Sequence, residues 1–417
     1  MAGAITLAVV LGGTIPAAAA SAAPAVSSAS TAATAIRPSA ALPGTMRPRA
    51  LVTATAFALG NRISCGSATA CLSVGSNINN NTGATTPLAE ALSGRKWKSV
   101  SVKTPAGAAN STALAGVSCK AANYCLVVGD YTTSTAARPY ALTWNGSTLT
   151  PITAPPVPKG GQLFALASDS CVAVKKCVVV GSALVPGATL VFRLFTDTWN
   201  GSTWTQVTAA SPSGSALPEL TALHCFSTTS CVAAGSAFAT SGATSVLIAT
   251  WNGKTWTRQK AVTPAGQEVL VNDLSCVSAE SCATVGMSIN NAATSAYGFL
   301  EVWNGKALSE SRYQGPKGDT LAFMLGVSCV SASNCVAVGA AGTSKTGAAE
   351  ALSWNGKSWT ALKVPAPAKG DTSDFAGVSC PKAGDCVAVG EGGPENTTKP
   401  SQLAGYWNGK SWQLATA

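Results

Sequence analysis

Chemistry in this chain would have to start from cysteine. Fourteen cysteines form seven C-x5-C pairs: Cys65 with Cys71, Cys119 with Cys125, Cys171 with Cys177, Cys225 with Cys231, Cys276 with Cys282, Cys329 with Cys335, and Cys380 with Cys386. Two chemistries compete for such pairs. As zinc ligands they have the wrong spacing, since zinc sites use C-x2–4-C with a second pair or histidine close by. As disulfides, each pair clamps a short turn and contributes about 2 kcal/mol by the chain-entropy argument. Seven similar pairs also argue against redox catalysis, which singles out one low-pKa thiol. The expectation is seven structural disulfides and an oxidising compartment.

The remaining candidates are sparse. The chain has one histidine, His224, directly before Cys225, where the other copies carry Ser64, Ser118, Ser170, Ser275, Ser328 and Ser379. A single histidine excludes multi-histidine copper and iron sites. A Ser-His-Asp triad would have to use His224, and no G-x-S-x-G elbow supports one. His224 is either a proton-responsive group or a drifted polar strand residue. There are 17 Asp and Glu residues. Asp130 and Glu391 share a slot just after the glycine of a C-x3-G segment, and Asp273 and Asp374 are expected to precede the first strand of the fifth and seventh copies. They could meet as an acid/base pair or an oxygen-rich cation site, or stand as solvated loop carboxylates. No Asp-x-Asp-x-Asp-Gly loop accompanies them. The stretches around Asn79 and Asn290 offer amides that suit sugar hydroxyls and equally suit plain turns. Lysines recur in the cysteine turns (Lys120, Lys175, Lys176, Lys382) and after Asn-Gly (Lys254, Lys306, Lys357, Lys410). They could hold an anionic polymer or merely blunt sheet edges.

What positions these residues is a repeat. The first cysteines are separated by 54, 52, 54, 51, 53 and 51 residues, a period that marks a repeat architecture. The sixth copy reads Gly326-Val-Ser-Cys329, a five-residue spacer, Cys335-Val-Ala-Val-Gly339, a polar loop, then Ala349 to Val364 with Trp354-Asn-Gly-Lys-Ser-Trp359 inside it. The apolar pieces are four to eight residues long, β-branched and aromatic, and bounded by Gly, Pro or Asn, so they read as strands. The glycine closing each C-x3-G is expected to turn the chain out of its strand. Asn-Gly is expected to form a two-residue hairpin turn pairing Trp354 with Lys357. All 11 tryptophans sit in this hairpin, which assigns them to packing between repeats. The fold expected is all-β: a seven-bladed β-propeller with four antiparallel strands per blade, its sheets buried by radial stacking. An open solenoid would need end caps, and the chain ends on a repeat hairpin, Trp412 to Ala417.

The order G-V-S-C, C-V-A-V-G, loop, A-L-S-W-N-G-K-S-W, Pro resembles the Kelch repeat over residues 50–417. The chain departs from that family in carrying one glycine where Kelch has two, and in its cysteine pairs. The resemblance implies a β-propeller and says little about activity, since one fold hosts many functions.

The N-terminus fits export. Ile5 to Leu11 is a short apolar run, followed by small residues around Ala20-Ser21-Ala22, so residues 1–23 read as a secretory signal, although no Lys or Arg precedes the run. Residues 24–49 are rich in Ala, Ser, Thr and Pro and read as a disordered linker. No stretch has the length of a transmembrane span. Net charge is +10 with only 11% charged residues, and no clustered basic motif points to nucleic acid. The reading is therefore a secreted, monomeric binding or scaffold module without cofactor or metal. Its ligand would be a carbohydrate or protein, held by Asp130, Glu391, Asp273, Asp374, Asn79 and Asn290. The alternatives are a hydrolase or lyase using axial carboxylates, and a purely structural surface protein.

Overall fold

The computed structural model describes residues 57–78, 84–109, 111–185, 191–207, 217–238, 244–259, 261–264, 267–290, 295–304, 308–343, 346–368, 370–394 and 401–416. The segments expected to be signal and linker, 1–23 and 24–49, lie outside them. Among the described residues every regular element is a β-strand; there is no helix, and hence none long and apolar enough to cross a membrane.

Each cysteine pair heads an antiparallel meander. In the sixth copy, Leu321–Ser331 pairs with Asn334–Gly342, which pairs with Gly347–Trp354, which pairs with Trp359–Leu362. The two cysteines of a pair stand directly opposite in the first hairpin, as Cys329 does to Cys335. All seven expected disulfides are formed. Cys65 is bonded to Cys71, Cys119 to Cys125, Cys171 to Cys177, Cys225 to Cys231, Cys276 to Cys282, Cys329 to Cys335 and Cys380 to Cys386, with Cα atoms 3.9–4.0 Å apart. The described residues hold no free cysteine.

The first strand of each copy lies against the first strand of the next, and that of the last copy, broken into Asp371–Ser373 and Gly377–Lys382, lies against Phe57–Ser67 of the first. The first strands thus close into a ring. A belt of hydrogen bonds runs around it. The side chain just before one copy's first cysteine accepts from the backbone N–H of the next copy's first cysteine. Ser64 accepts from Cys119 at 2.9 Å, Ser118 from Cys171 at 2.8 Å, Ser170 from Cys225 at 2.9 Å. Ser275 accepts from Cys329 at 2.9 Å, Ser328 from Cys380 at 3.0 Å, and Ser379 from Cys65 at 3.1 Å, which returns the belt to its start. His224 fills the one remaining link, its Nδ1 accepting from Cys276 N at 3.5 Å.

The apolar core lies between successive copies, because a sheet buries its two faces only against its neighbours. One such layer joins Val178, Val180 and Leu194 to Leu223, Leu247 and Trp251. Among the described residues the seam between last and first copies is thinner: Cys71, Leu92 and Val387 are buried there, flanked by Trp97 and Tyr406. Polar contacts supplement it. Trp97 Nε1 donates to Tyr406 Oη at 2.9 Å, and Arg95 donates to Gln413 at 3.2 Å while lying 5.5 Å from the Tyr406 ring. The described strands do not exchange across this seam.

Two local expectations are corrected. The second strand does not turn at its C-x3-G glycine; Asn334–Gly342 runs straight through Gly339. A β-bulge in the first strand, between Met324 and Gly326, presses backbone onto that point, and a Cβ on Gly339 would sit 2.0 Å from Phe323 O. Glycine is needed for close approach, not for turning. The Asn-Gly hairpin, in turn, is two residues longer than a two-residue turn, taking Lys357 and Ser358 into the loop, so Trp354 pairs with Trp359. The Asn355 side chain closes it, accepting from Lys357 N and Ser358 N at 2.9 Å each. This Asx closure stabilises a wider loop. The two indoles still share a face, with ring centroids 5.4 Å apart.

Candidate functional site

The bulges that crowd the glycines also re-aim first-strand side chains. Register shifts fall at Leu59/Arg62, Leu114/Gly116, Leu220/Ala222 and Val271/Asp273. Extra residues there, such as Thr221 and Asn272, leave the ladder, as bulge residues do. Thr221 and residues beside the other bulges line a cavity of about 100 Å³, with Arg62, Ser168, Asp169, Thr221 and Asp273 as its polar wall and Ile63, Val117, Leu223 and Val378 as its apolar wall. Because these residues come from first strands around the whole ring, the cavity is axial.

Arg62 of the first copy reaches across to the fifth. Its Nη2 donates to the Asn272 carbonyl at 3.0 Å, and its Nη1 lies 3.7 Å from Asp273 Oδ1. Asp273 Oδ2 accepts from Val327 N of the sixth copy at 2.9 Å. Asn272 Nδ2 donates to Met324 O at 2.8 Å, and Thr221 Oγ1 donates to Val271 O at 2.8 Å. Burial pushes the Asp273 carboxyl above its ordinary pKa, while Arg62 and the Val327 N–H pull it back.

Asp169 is different. It is 6% exposed, and neither carboxyl oxygen makes a well-formed hydrogen bond among the described residues. Burial raises its pKa well above the carboxylate range, only partly offset by the backbone N–H groups of Ser118 and of Asp169 itself. Its space exists because its neighbour is glycine: a Cβ on Gly116 would lie 2.4 Å from Asp169 Oδ1. A buried acceptor without a partner is costly, so Asp169 is held as a neutral acid or awaits a donor from outside the chain.

Of the residues singled out by sequence, Asp273 alone lines this cavity. It lies inside its strand, Gln267–Ser278, rather than before it, because the first strands extend further than the short G-V-S-C motif. Asp374 and Glu391 meet each other instead, in the last copy: Glu391 N donates to Asp374 Oδ1 at 3.1 Å, and Asp374 N donates to Glu391 O at 2.9 Å. Burial raises the pKa of Asp374. Asp130 sits in the second copy with its pKa pushed by burial to about 6, slightly offset by a backbone contact at Leu166. Asn290 Oδ1 accepts from Ser295 N at 3.2 Å, closing its own loop. Asn79 lies outside the described residues. Among those residues no group of three or more His, Cys, Asp or Glu could hold a metal ion.

Arg62 and Asp169 were missed. Written in columns, the position three before the first cysteine reads Arg62, Gly116, Ser168, Ala222, Asp273, Gly326, Gly377. Arg62, opposite in sign to Asp273 in a column of small residues, was one available signal; Asp169, alone in the next column among Ile63, Val117, Leu223, Leu274, Val327 and Val378, was the other.

No protein-family model matches the chain, and no curated protein matches it. Among solved structures it overlaps loosely with the β-propeller domain of the trilobed protease from Pyrococcus furiosus, described as having an open velcro topology. The TM-score is 0.48 at 10% identity, over 87% of this chain and 98% of that one. A Pyrococcus horikoshii acylaminoacyl peptidase gives a TM-score of 0.49 at 8% identity, over 88% of this chain and 53% of that one. A protein of unknown function from Dyadobacter fermentans gives 0.44 at 9% identity, over 69% and 91%. These overlaps carry no argument about the site.

Proposed function

We propose that the chain is an extracellular, monomeric, seven-bladed β-propeller, four strands to a blade and Kelch-like in repeat order, that binds a carbohydrate at its axis. The observation that carries this is Asp169, a buried acid without a well-formed hydrogen bond among the described residues, facing a cavity that also presents Asp273, Arg62, Ser168 and Thr221. Hydroxyl groups supply both the donors that Asp169 lacks and acceptors for the guanidinium. Preformed sites of this kind pair an apolar wall with a few convergent polar groups. Seven disulfides support placement in an oxidising, extracellular setting. The second strands bearing Asp130, Asn290 and Glu391 would frame the approach, and a protein loop could present the same hydroxyls. Calorimetric titration with neutral cello-, chito- and malto-oligosaccharides tests the reading. Binding should be lost in Asp169→Ala. Absence of heat with every series, or equal heat in the variant, would refute it.

A second reading has one observation in its favour. Burial raises the pKa of both carboxyls, carrying Asp169 well above the carboxylate range, whereas the rise at Asp273 is opposed by the Arg62 charge and the Val327 N–H. Two carboxyls with diverging environments are the arrangement of an acid/base pair. Turnover of a bound oligosaccharide that stops in Asp169→Asn would select this reading; binding without turnover would reject it.

A further inference from the structure

A different surface carries a second inference. Among the described residues, a copy's cysteine turn lies beside the turn between its third and fourth strands, which is Asn-Gly in every copy but the first. Indole N–H groups tie them: Trp144 donates to Ala122 O, Trp251 to Thr228 O, Trp303 to Ala279 O and Trp354 to Ala332 O, at 3.1–3.3 Å. The belt holds successive copies in register, so all these turns emerge on one face. Among the described residues, the turns on this face carry nine Lys and Arg side chains and two carboxylates, Glu280 and Asp385. Asp385 is already paired with Lys382 at 3.5 Å. Lys120, Lys175, Lys176, Lys254, Lys357 and Lys410 are exposed and take part in no ion pair among the described residues.

We propose that this face docks an anionic polysaccharide. Three properties select that class. The backbone that carries the charges is fixed: Lys254 N, Lys357 N and Lys410 N each donate to the side chain of the asparagine two residues earlier in the same turn at 2.9 Å, so less backbone ordering is required on binding. They alternate with exposed hydroxyls, including Ser147, Ser202, Ser358 and Ser411, which suit sugars. And the face lacks what competing polyanions use. The exposed large apolar side chains among the described residues are Val174, a single valine beside Lys175 on this face, and Val262, so there is no aromatic platform for bases and no continuous apolar edge for a bilayer. Lysine point charges, rather than arginine forks, hold charge without reading bases.

The test is affinity for polygalacturonate and dextran sulfate, with neutral dextran as the blank. The variant K175Q/K176Q/K254Q/K357Q removes four charges from this face. The variant K103Q/R138Q/K159Q/K317Q removes four exposed charges elsewhere and leaves net charge matched. All eight side chains are exposed, and thermal unfolding will verify the fold of both variants. The face variant should lose at least about tenfold in affinity, equivalent to about 1.4 kcal/mol, and the control should keep wild-type affinity. Binding should weaken with salt and persist in Asp169→Ala, which separates this surface from the axial site. Equal losses in both variants, no binding to either polymer, or tighter binding to duplex DNA or phosphatidylglycerol vesicles would overturn the proposal.

Discussion

His224 should make this protein acid-sensitive in a way its own repeats can correct. Six links of the inner belt use serine; the seventh uses His224 Nδ1, which accepts from Cys276 N at 3.5 Å. Only the neutral imidazole can accept there. Burial, helped by the nearby Lys120 charge, lowers its pKa from 6.5 to about 4. A depressed folded-state pKa means the unfolded chain binds the extra proton first. The belt contribution is therefore full above the unfolded value and is lost as pH falls through the folded one. At 1.36 kcal/mol per unit, a fall from 6.5 to about 4 makes the loss about 2 kcal/mol by about pH 5 and about 3 kcal/mol by about pH 4. His224→Ser installs the side chain that accepts at 2.8–3.1 Å in the other links. The variant should match the wild type above about pH 7 and exceed it progressively below about pH 6. The assay is urea unfolding of both chains across that range, at constant ionic strength. If the two stability curves stay parallel, His224 is not buried neutral in the belt, and the reasoning fails.

Two further outcomes follow from other buried charges. Arg62→Ala should cost about 2 kcal/mol, below the value for breaking a fully buried pair, because Arg62 and Asp273 are each about one-fifth exposed, at 22% and 23%; a double-mutant cycle with Asp273→Asn should show positive coupling, and strict additivity would deny the transaxial contact. Glu301 is fully buried with both oxygens unpartnered, and burial, with Glu310 nearby, raises its pKa from 4.5 to about 8. That raised value gives full stability below the unfolded pKa and loss as pH rises through the folded one, so Glu301→Gln should stabilise by about 3 kcal/mol at neutral pH and by nothing near pH 4; a pH-independent effect in denaturant unfolding would contradict the assignment.

The strand pattern and the cysteine pairing were legible because each is stated seven times over, and averaging across copies suppresses local noise. The errors came where repetition conceals cause. Glycine ending C-x3-G looked like a turn because every copy has an apolar run stopping there; the bulge that demands it lies on the partner strand, whose extra residue leaves no mark in composition. Asn-Gly looked like the shortest hairpin because the dipeptide is a strong local signal, yet the asparagine side chain spans a longer loop. The site was obscured for the opposite reason. Its residues are departures from the repeat: Arg62, Asp169 and Asp273 each occur once in their columns, and only the ring brings the first, third and fifth copies to one cavity. The carboxylates chosen by shared slot, Asp130 and Glu391, obey the repeat and are therefore kept apart by it.

This division bears on how a ligand would act. The apolar layers lie between sheets, away from the axis, so the ring's centre is held by polar contacts: the belt, the Arg62 strut and the Val327 N–H on Asp273. The last seam has the thinnest apolar layer and is closed without strand exchange among the described residues. Arg62 belongs to the copy at that seam, and its partner Asp273 lies across the ring. A group binding Asp169 and the guanidinium together would therefore tighten the ring at its weakest joint. Such a ligand stabilises the closed state by mass action, by about 2.7 kcal/mol at a hundredfold excess over its Kd. Ring opening at the seam, read by hydrogen exchange at Cys65 N and Trp97 Nε1, should slow by the same factor as global unfolding if closure is cooperative. If the seam opens alone, the axial ligand should protect these two groups and leave the other six belt amides unchanged.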